Sequence, residues 1–313
     1  MFEQQKVHIE KVDEITVSPL SNKPQEFVRL LPLHEETKHR SIQRRIKPIS
    51  LDEDKPEGHT RFVCISDTHA RHRDLIYNVP DGDVLLHCGD FTNLGKLEEV
   101  IDFNDWLATL PHKHKIVIAG NHDLSFDPRL MEDIRKTKRE GGYRRFQFLD
   151  QISEKYTDDW QSVLSNCTYI QDTELKVNGI RIYGTAWNPW FGGWAFNMKR
   201  GQPLLDKWNK IPGDGIDILM THSPPAGQLD VVQPRSERVG CVELMNTVQL
   251  RVQPKYHVFG HIHESYGIST DGCHTFINCT TVNKELAPSN KAVYIDFPTP
   301  EGAVEGITDI IQH

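Results

Sequence analysis

Residues 61–90 read RFVCISDTHARHRDLIYNVPDGDVLLHCGD, and the fold turns on how this stretch is understood. Two short apolar runs, FVCIS and VLLHC, are separated by a polar connection bearing Pro80 and Gly82, and each run leads to an aspartate, Asp67 or Asp90. Short apolar runs bounded by turn residues are the mark of strands buried on both faces. Working outward, the pattern recurs. KIVIAG leads to Asn121-His122-Asp123, IDILMT to His222, and YHVFG to His261 and His263. The apolar runs predict strands at Arg61–Ser66, Val84–Cys88, Lys115–Ala119, Glu174–Val177, Ile180–Tyr183, Ile216–Thr221, Tyr256–Phe259, Thr275–Cys279 and Ala292–Phe297. Asn178-Gly179 between two of them is a two-residue hairpin signal. Apolar residues at three- and four-residue spacing predict helices over Leu94–Leu110, Pro128–Arg139 and Val239–Leu250. Strands alternating with helices imply an α/β domain, and the later hairpin-linked strands imply a second sheet stacked on the first.

The polar residues that end these runs carry the chemistry. In α/β sheets the carboxyl ends of the strands line one edge, so several such endings can meet in one crevice. Asp, Asn and His together offer the donors suited to Mn, Fe or Zn, and the absence of thiolates disfavours a structural zinc site. Asp67, His69, Asp90, Asn121, His222, His261 and His263 are too many donors for one four-coordinate ion and suit a pair. Two ions about 3.5–4 Å apart need a bridging carboxylate, for which Asp90 is the candidate. Any single segment has a plainer reading: Asn121-His122-Asp123 could be a turn favoured by its own side chains. Five segments ending alike reverse that judgement.

In order from Asp67 to His263, the segments D-x-H, G-D, G-N-H-D, a lone His and G-H-x-H resemble the signature of the calcineurin-like metallophosphoesterase superfamily. The wording SDTHARH, HCGDFTNLG, GNHD, THSPP and FGHIHESYG resembles its animal metallophosphoesterase-domain-containing branch, similar to class III cyclic-nucleotide phosphodiesterases. The resemblance implies an αββα sandwich, two stacked mixed sheets flanked by helices. It implies that Asp67, His69 and His263 hold one divalent ion, that Asn121, His222 and His261 hold the other, and that Asp90 bridges them. His122 would protonate the leaving alcohol or stabilise the charge developing on the phosphate, Asp123 would orient it, and hydrolysis would proceed by metal-bound hydroxide. Manganese is the expected metal, with Fe or Zn as alternatives. Protein phosphatases of the superfamily carry an Arg shortly after the bridging Asp and a Glu after Asn-His. Here the text is Asp90-Phe-Thr-Asn-Leu-Gly and Asn121-His122-Asp123, which favours small phosphodiesters or nucleotides, cyclic ones among them, over phosphoproteins.

Bulk properties agree with such an enzyme. The 313 residues are 37% hydrophobic and 26% charged, enough for one large core. A formal charge of −8 argues against extended nucleic-acid binding. No run of about 18 apolar residues and no charged-then-apolar leader appears, so the expectation is a cytoplasmic protein with no membrane span. The six cysteines form no CxxC pair and read as buried reduced thiols. Residues 1–58 show no sustained period and read as a flexible N-terminal extension, followed by the metallophosphoesterase domain over 59–297 and a C-terminal tail over 298–313.

Four residues are candidates for substrate contact: His72, which closely follows the first ligand loop, Asn93, Trp187 and Trp190. The run Trp187-Asn-Pro-Trp190-Phe-Gly-Gly-Trp194 admits two readings, a wall for a nucleobase or a surface covered by another subunit or by the extension. The alternative function on the same fold is a low-turnover nucleotide-binding or scaffold protein. Its usual mark is a missing ligand, and none is missing.

Overall fold

Side-chain alternation within the apolar runs sets the layers. The computed structural model describes residues 8–33, 38, 40–41, 43–139 and 160–313. In it Phe62 and Cys64 point into one buried cluster, and Val63 and Ile65 into another. Val84 and Leu86 are likewise set against Leu85, and Ile116 and Ile118 against Val117 and Ala119. A strand that is apolar on both faces must be covered twice, once by a second sheet and once by helices.

The first sheet has five strands, in spatial order β16 (Val293–Pro298), β2 (His59–Ile65), β3 (Val84–Cys88), β4 (His114–Ile118) and β5 (Thr168–Tyr169). All neighbours are parallel except the antiparallel pair β16–β2. The second has eight: β1 (Arg44–Ile46), β14 (Gly267–Thr270), β15 (Thr275–Asn278), β13 (Tyr256–Phe259), β10 (Ile218–Thr221), β7 (Ile180–Thr185), β6 (Thr173–Val177) and β17 (Ile307–Gln312). Its middle, from β15 to β7, is parallel, with antiparallel pairs on either side. Two short ribbons complete the strands: β8 (Asn188–Pro189) with β9 (Asn197–Met198), and β11 (Val231–Val232) with β12 (Glu237–Arg238).

Between the sheets lie Phe62, Leu86, Ile116, Ile182, Ile218, Met220, Val258 and their neighbours. The outer face of the first sheet is covered by the helix Leu97–Thr109 through Val100, Phe103, Trp106 and Leu107. The second is covered by Gln202–Trp208 and Val242–Asn246. The fold is therefore an α/β sandwich of two mixed sheets flanked by helices. Asn178 (φ 50°) and Gly179 (φ 78°) form the expected tight hairpin between β6 and β7, both in the left-handed region that a primed turn requires. The expected helix at Val239–Leu250 is shorter, Val242–Asn246, and continues as a π-type turn over Thr247–Val252.

The stretch expected as a loose extension is anchored at several points; its residues 1–7, 34–37, 39 and 42 lie outside the described residues. Ile9, Ile15, Phe27 and Leu31 are buried. Val12 N–H donates to the Leu250 carbonyl (2.7 Å), and Arg40 Nε donates to Gln249 Oε1 (3.1 Å). Burial pulls the Arg40 guanidinium down to about 10, despite Asp271 nearby. Strand β1 then extends the second sheet. Isolated apolar anchors at irregular spacing leave no period in the sequence, because each docks into a different depression of a surface already folded. The C-terminal stretch differs in the same sense: β17 pairs antiparallel with β6 and forms the sheet edge. Among the described residues no helix is long and apolar enough to cross a membrane.

Candidate metal centre

Parallel strands deliver their carboxyl ends to one edge, and the polar segments after β2, β3, β4, β10 and β13 meet there. The two sheets are joined at this edge: Ser66, just past β2, bridges in parallel to Thr280, just past β15, and Thr281 Oγ1 donates to the Ser66 and Asp67 carbonyls (2.9 and 3.1 Å). Asp67 N–H donates to the Gly89 carbonyl and His69 N–H to that of Asp90, both at 2.9 Å, zipping the first two loops together.

The side chains then converge. Three groups of potential ligand atoms lie within mutual reach among the described residues: Asp67, His69 and His263; His69, Asp90 and His122; and Asp90, His222 and His261. His69 Nε2 is 3.3 Å from His263 Nε2, and His263 Nε2 is 3.4 Å from Asp67 Oδ1. On the other side His222 Nε2 is 3.0 Å from Asn121 Oδ1 and 3.3 Å from Asp90 Oδ2. Asp90 Oδ2 is also 3.8 Å from His69 Nε2, so one carboxylate faces both clusters.

The chemistry of this donor set fits divalent cations. Burial drives His69 down to about 4 and His261 down to about 3, so both present neutral lone pairs at neutral pH, as a metal requires. Burial also opposes charge on His222, but the adjacent Asp90 carboxylate outweighs it and lifts the imidazole to about 9. Imidazole nitrogens and carboxylate oxygens gathered at these distances, with Asp67, His69, Asp90 and His222 buried, form a set of donor atoms that a cation would satisfy.

The backbone is strained to produce this crowding. Asp67 (φ 55°), His69 (φ 44°), Asp90 (φ 53°) and His261 (φ 67°) all occupy the left-handed region, which costs a non-glycine residue about 1–2 kcal/mol. Two glycines make room for the carboxylates. A Cβ on Gly120 would collide with the Asp90 side chain, and one on Gly260 with those of Asp67 and Ser66. Gly260→Ala is therefore expected to destabilise the protein by about 1–3 kcal/mol and to weaken metal uptake; thermal unfolding and elemental analysis measure both.

The remaining candidates separate. His122 Nδ1 faces the Asn93 carbonyl (2.8 Å), leaving Nε2 for the cavity. Asn93 thus serves through its backbone. Asp123 does not touch His122, contrary to the orienting role expected of it. Its Oδ2 accepts from the Asp90 and Gly120 N–H groups (2.9 and 2.7 Å), and its Oδ1 accepts from Thr92 N–H and Oγ1 (2.9 and 2.7 Å). The carboxylate ties the second and third loops together. His72 is also misplaced as a substrate contact: it is 2% exposed, bonded to Asp102 (2.9 Å) and packed on Trp106, because the short 3-10 turn His72–Asp74 directs it at the Leu97–Thr109 helix.

Trp187 is buried at 5% exposure, its Nε1 donating to the Asp172 carboxylate (2.9 and 3.0 Å), its ring covered by Lys207 (4.0 Å) and Arg129 (4.3 Å). It cannot stack on a ligand. Trp190, 63% exposed, does line the cavity of about 480 Å³ above the cluster. Phe191, Trp194 and Arg200 also line it, as do Val232 and Glu237 of the β11–β12 ribbon and Val239 just past it. Trp194 was present in the tryptophan-rich run, but nothing local in that run marks which indole turns inward.

Comparison with known proteins agrees with this geometry. Residues 60–265 match the model of the calcineurin-like phosphoesterase family. The chain is 51% identical over 258 residues to metallophosphoesterase domain-containing protein 1 of Homo sapiens, covering 82% of this chain and 77% of that one. It is equally similar to the Mus musculus protein of the same name. A UPF0046 protein of Caenorhabditis elegans is 42% identical over 291 residues, covering 92% and 97% of the two chains. With its ligand segments gathered at the strand ends and the family match spanning them, the chain belongs to the calcineurin-like phosphoesterase family.

Proposed function

We propose that the protein is a metal-dependent phosphodiesterase acting on small phosphodiesters and nucleotides, cyclic nucleotides among them, with two divalent ions, manganese foremost. The observation that carries this reading is the Asp90 carboxylate, within 3.8 Å of His69 on one side and 3.3 Å of His222 on the other. Asp67, His69 and His263 would hold one ion, Asn121, His222 and His261 the second, and Asp90 both. Ions held there polarise a phosphoryl oxygen and lower the pKa of bound water.

The chain's own residues do the rest. The cavity admits a small ester, and its negative surroundings at Glu237 and Glu264 are offset by Arg200 and Lys284, which suit a phosphate-bearing ligand. As hydroxide adds to phosphorus, the bond to the alcohol oxygen breaks and its electron pair stays on that oxygen, which takes the proton from His122 Nε2; the next water, giving up a proton to become the following hydroxide, returns His122 to its protonated form. Asn93 holds the opposite ring nitrogen and so fixes the direction of that transfer. Buried thiols at Cys64, Cys88, Cys241 and Cys279 suit a reducing compartment such as the cytoplasm.

Hydrolysis of bis-p-nitrophenyl phosphate in added Mn²⁺ tests the reading. Wild type is expected to turn over and His222→Ala to lose most activity; equal rates would leave the low-turnover scaffold as the better account. Exposed Trp190 supports a base-stacking role, and stacking contributes about 1–3 kcal/mol per base. Trp190→Ala is accordingly expected to raise KM for a cyclic nucleotide roughly tenfold and to spare a base-free diester. Equal effects on the two substrates would remove the aromatic rim from nucleotide recognition.

A further inference from the structure

The imidazole of His122 is held on more than one side. Its Nδ1 is engaged by the Asn93 carbonyl at 2.8 Å, and its edge meets His69 at 4.7 Å between ring centres, nearly perpendicular. One face lies under the indole of Trp194, the rings 4.3 Å apart and 26° from parallel. A hydrogen bond to one nitrogen leaves a ring free to swing about that bond; a flat partner against its face removes the swing.

Trp194 is itself carried by the segment that holds His122. Ala195 N–H donates to the Asn121 carbonyl (3.1 Å), Phe196 N–H to Asp127 Oδ2 (2.7 Å) and Asn188 N–H to the Phe196 carbonyl (3.0 Å). Gly192 (φ 62°) and Gly193 (φ 70°) make the turn that returns the chain over the imidazole. A Cβ on Gly192 would come within 3.3 Å of the Trp194 ring. The tryptophan is therefore placed on the imidazole by two anchors to the loop after β4, the Asn121 carbonyl and the Asp127 carboxylate.

We infer that Trp194 is a positioning residue for proton delivery, its indole fixing the His122 ring so that Nε2 points at the leaving oxygen. The inference rests on the role given to His122 above. Its consequence is dependence on the leaving group. An ester of 4-nitrophenol departs as a stable anion and needs little protonation, whereas phenol, with a pKa of about 10 like the tyrosine ring, needs it.

The test uses methyl aryl phosphate diesters with leaving phenols graded from 4-nitrophenol to phenol, on the Mn²⁺-loaded full chain. Wild type, W194A, W194F, H122A and the double variant W194A/H122A are compared. Expected for W194A is a kcat on the phenyl ester lower by roughly tenfold or more, relative to the nitrophenyl ester, steepening the plot of log kcat against leaving-group pKa. W194F, which keeps a flat face, should restore the wild-type slope, and the double variant should be no steeper than H122A. A second readout needs no turnover: with ¹³C-labelled histidine and diamagnetic Mg²⁺, the His122 Cε1 proton should lie upfield in wild type and W194F and move downfield in W194A. A wild-type slope in W194A beside a steep H122A would reduce Trp194 to a cavity wall and overturn the inference. An H122A slope equal to wild type would instead overturn the role of His122, and the unmoved or moved proton resonance would still decide whether Trp194 holds the ring.

Discussion

Asp90→Asn is expected to abolish turnover on bis-p-nitrophenyl phosphate, with a loss well beyond the roughly 10–100-fold that outer-shell partners of a metal cost. The substitution keeps the size and shape of the side chain, so the reason is electronic. Asp90 Oδ1 accepts the backbone N–H of His122 at 2.7 Å, and Oδ2 faces the His222 and His69 rings. An amide in the same place offers one acceptor and replaces the other oxygen with a donor, which repels a cation at the carboxylate that faces both clusters. The loss should show as missing metal before it shows as misfolding. Wild type at a hundredfold excess of Mn²⁺ over Kd gains about 2.7 kcal/mol of stability, and Asp90→Asn should gain little. Metal-dependent melting shifts of equal size in the two proteins would remove Asp90 from the bridging position.

His122→Ala should lower kcat on a phenyl ester, whose leaving group needs protonation, by roughly 10²–10⁴-fold, the range for a positioned acid or base, with metal content retained. The distinction matters because His122 lies near enough to His69 and Asp90 to be grouped with them as a possible donor. The Asn93 carbonyl occupies its Nδ1, and Trp194 covers its face, so its free nitrogen is the one aimed into the cavity. Elemental analysis separates the roles. Full occupancy with lost turnover marks a residue that moves a proton, and lost metal would make it a ligand instead.

Much of the centre was legible in advance for a definite physical reason. A parallel strand covered on both faces has to be apolar at nearly every position, and a donor directly after it has to lie at the sheet edge. FVCIS before Asp67 and YHVFG before His261 say both things in a few letters, and Asn178-Gly179 says where β6 turns into β7. The converse cases were illegible because their outcome is not local. Asp123 and His72 each follow a ligand closely, yet one carboxylate is taken by Thr92, Asp90 and Gly120, and the imidazole is taken by Asp102 and Trp106.

The tryptophan run shows the division clearly. Its letters place three indoles near a glycine pair, but Asp172, fifteen positions upstream and in another strand connection, claims Trp187. The carbonyl of Asn121 then anchors the return of the loop and lays Trp194 over His122. Segments 8–33 and 43–58 are likewise placed by contacts distant in sequence: Phe27 and Leu31 are buried in a cluster with residues of the sheets and their helices.

By itself, then, the sequence determined the buried strands that lead to the donors, the order of those donors along the chain and the edge at which they emerge, because each follows from short-range burial and turn chemistry. The tertiary structure alone decided that Asp90 faces both clusters, which indole meets the imidazole, and that Phe27, Leu31 and β17 are packed against the rest of the fold. Those outcomes depend on hydrogen bonds and contacts between segments distant in sequence, whose partners no local pattern can name.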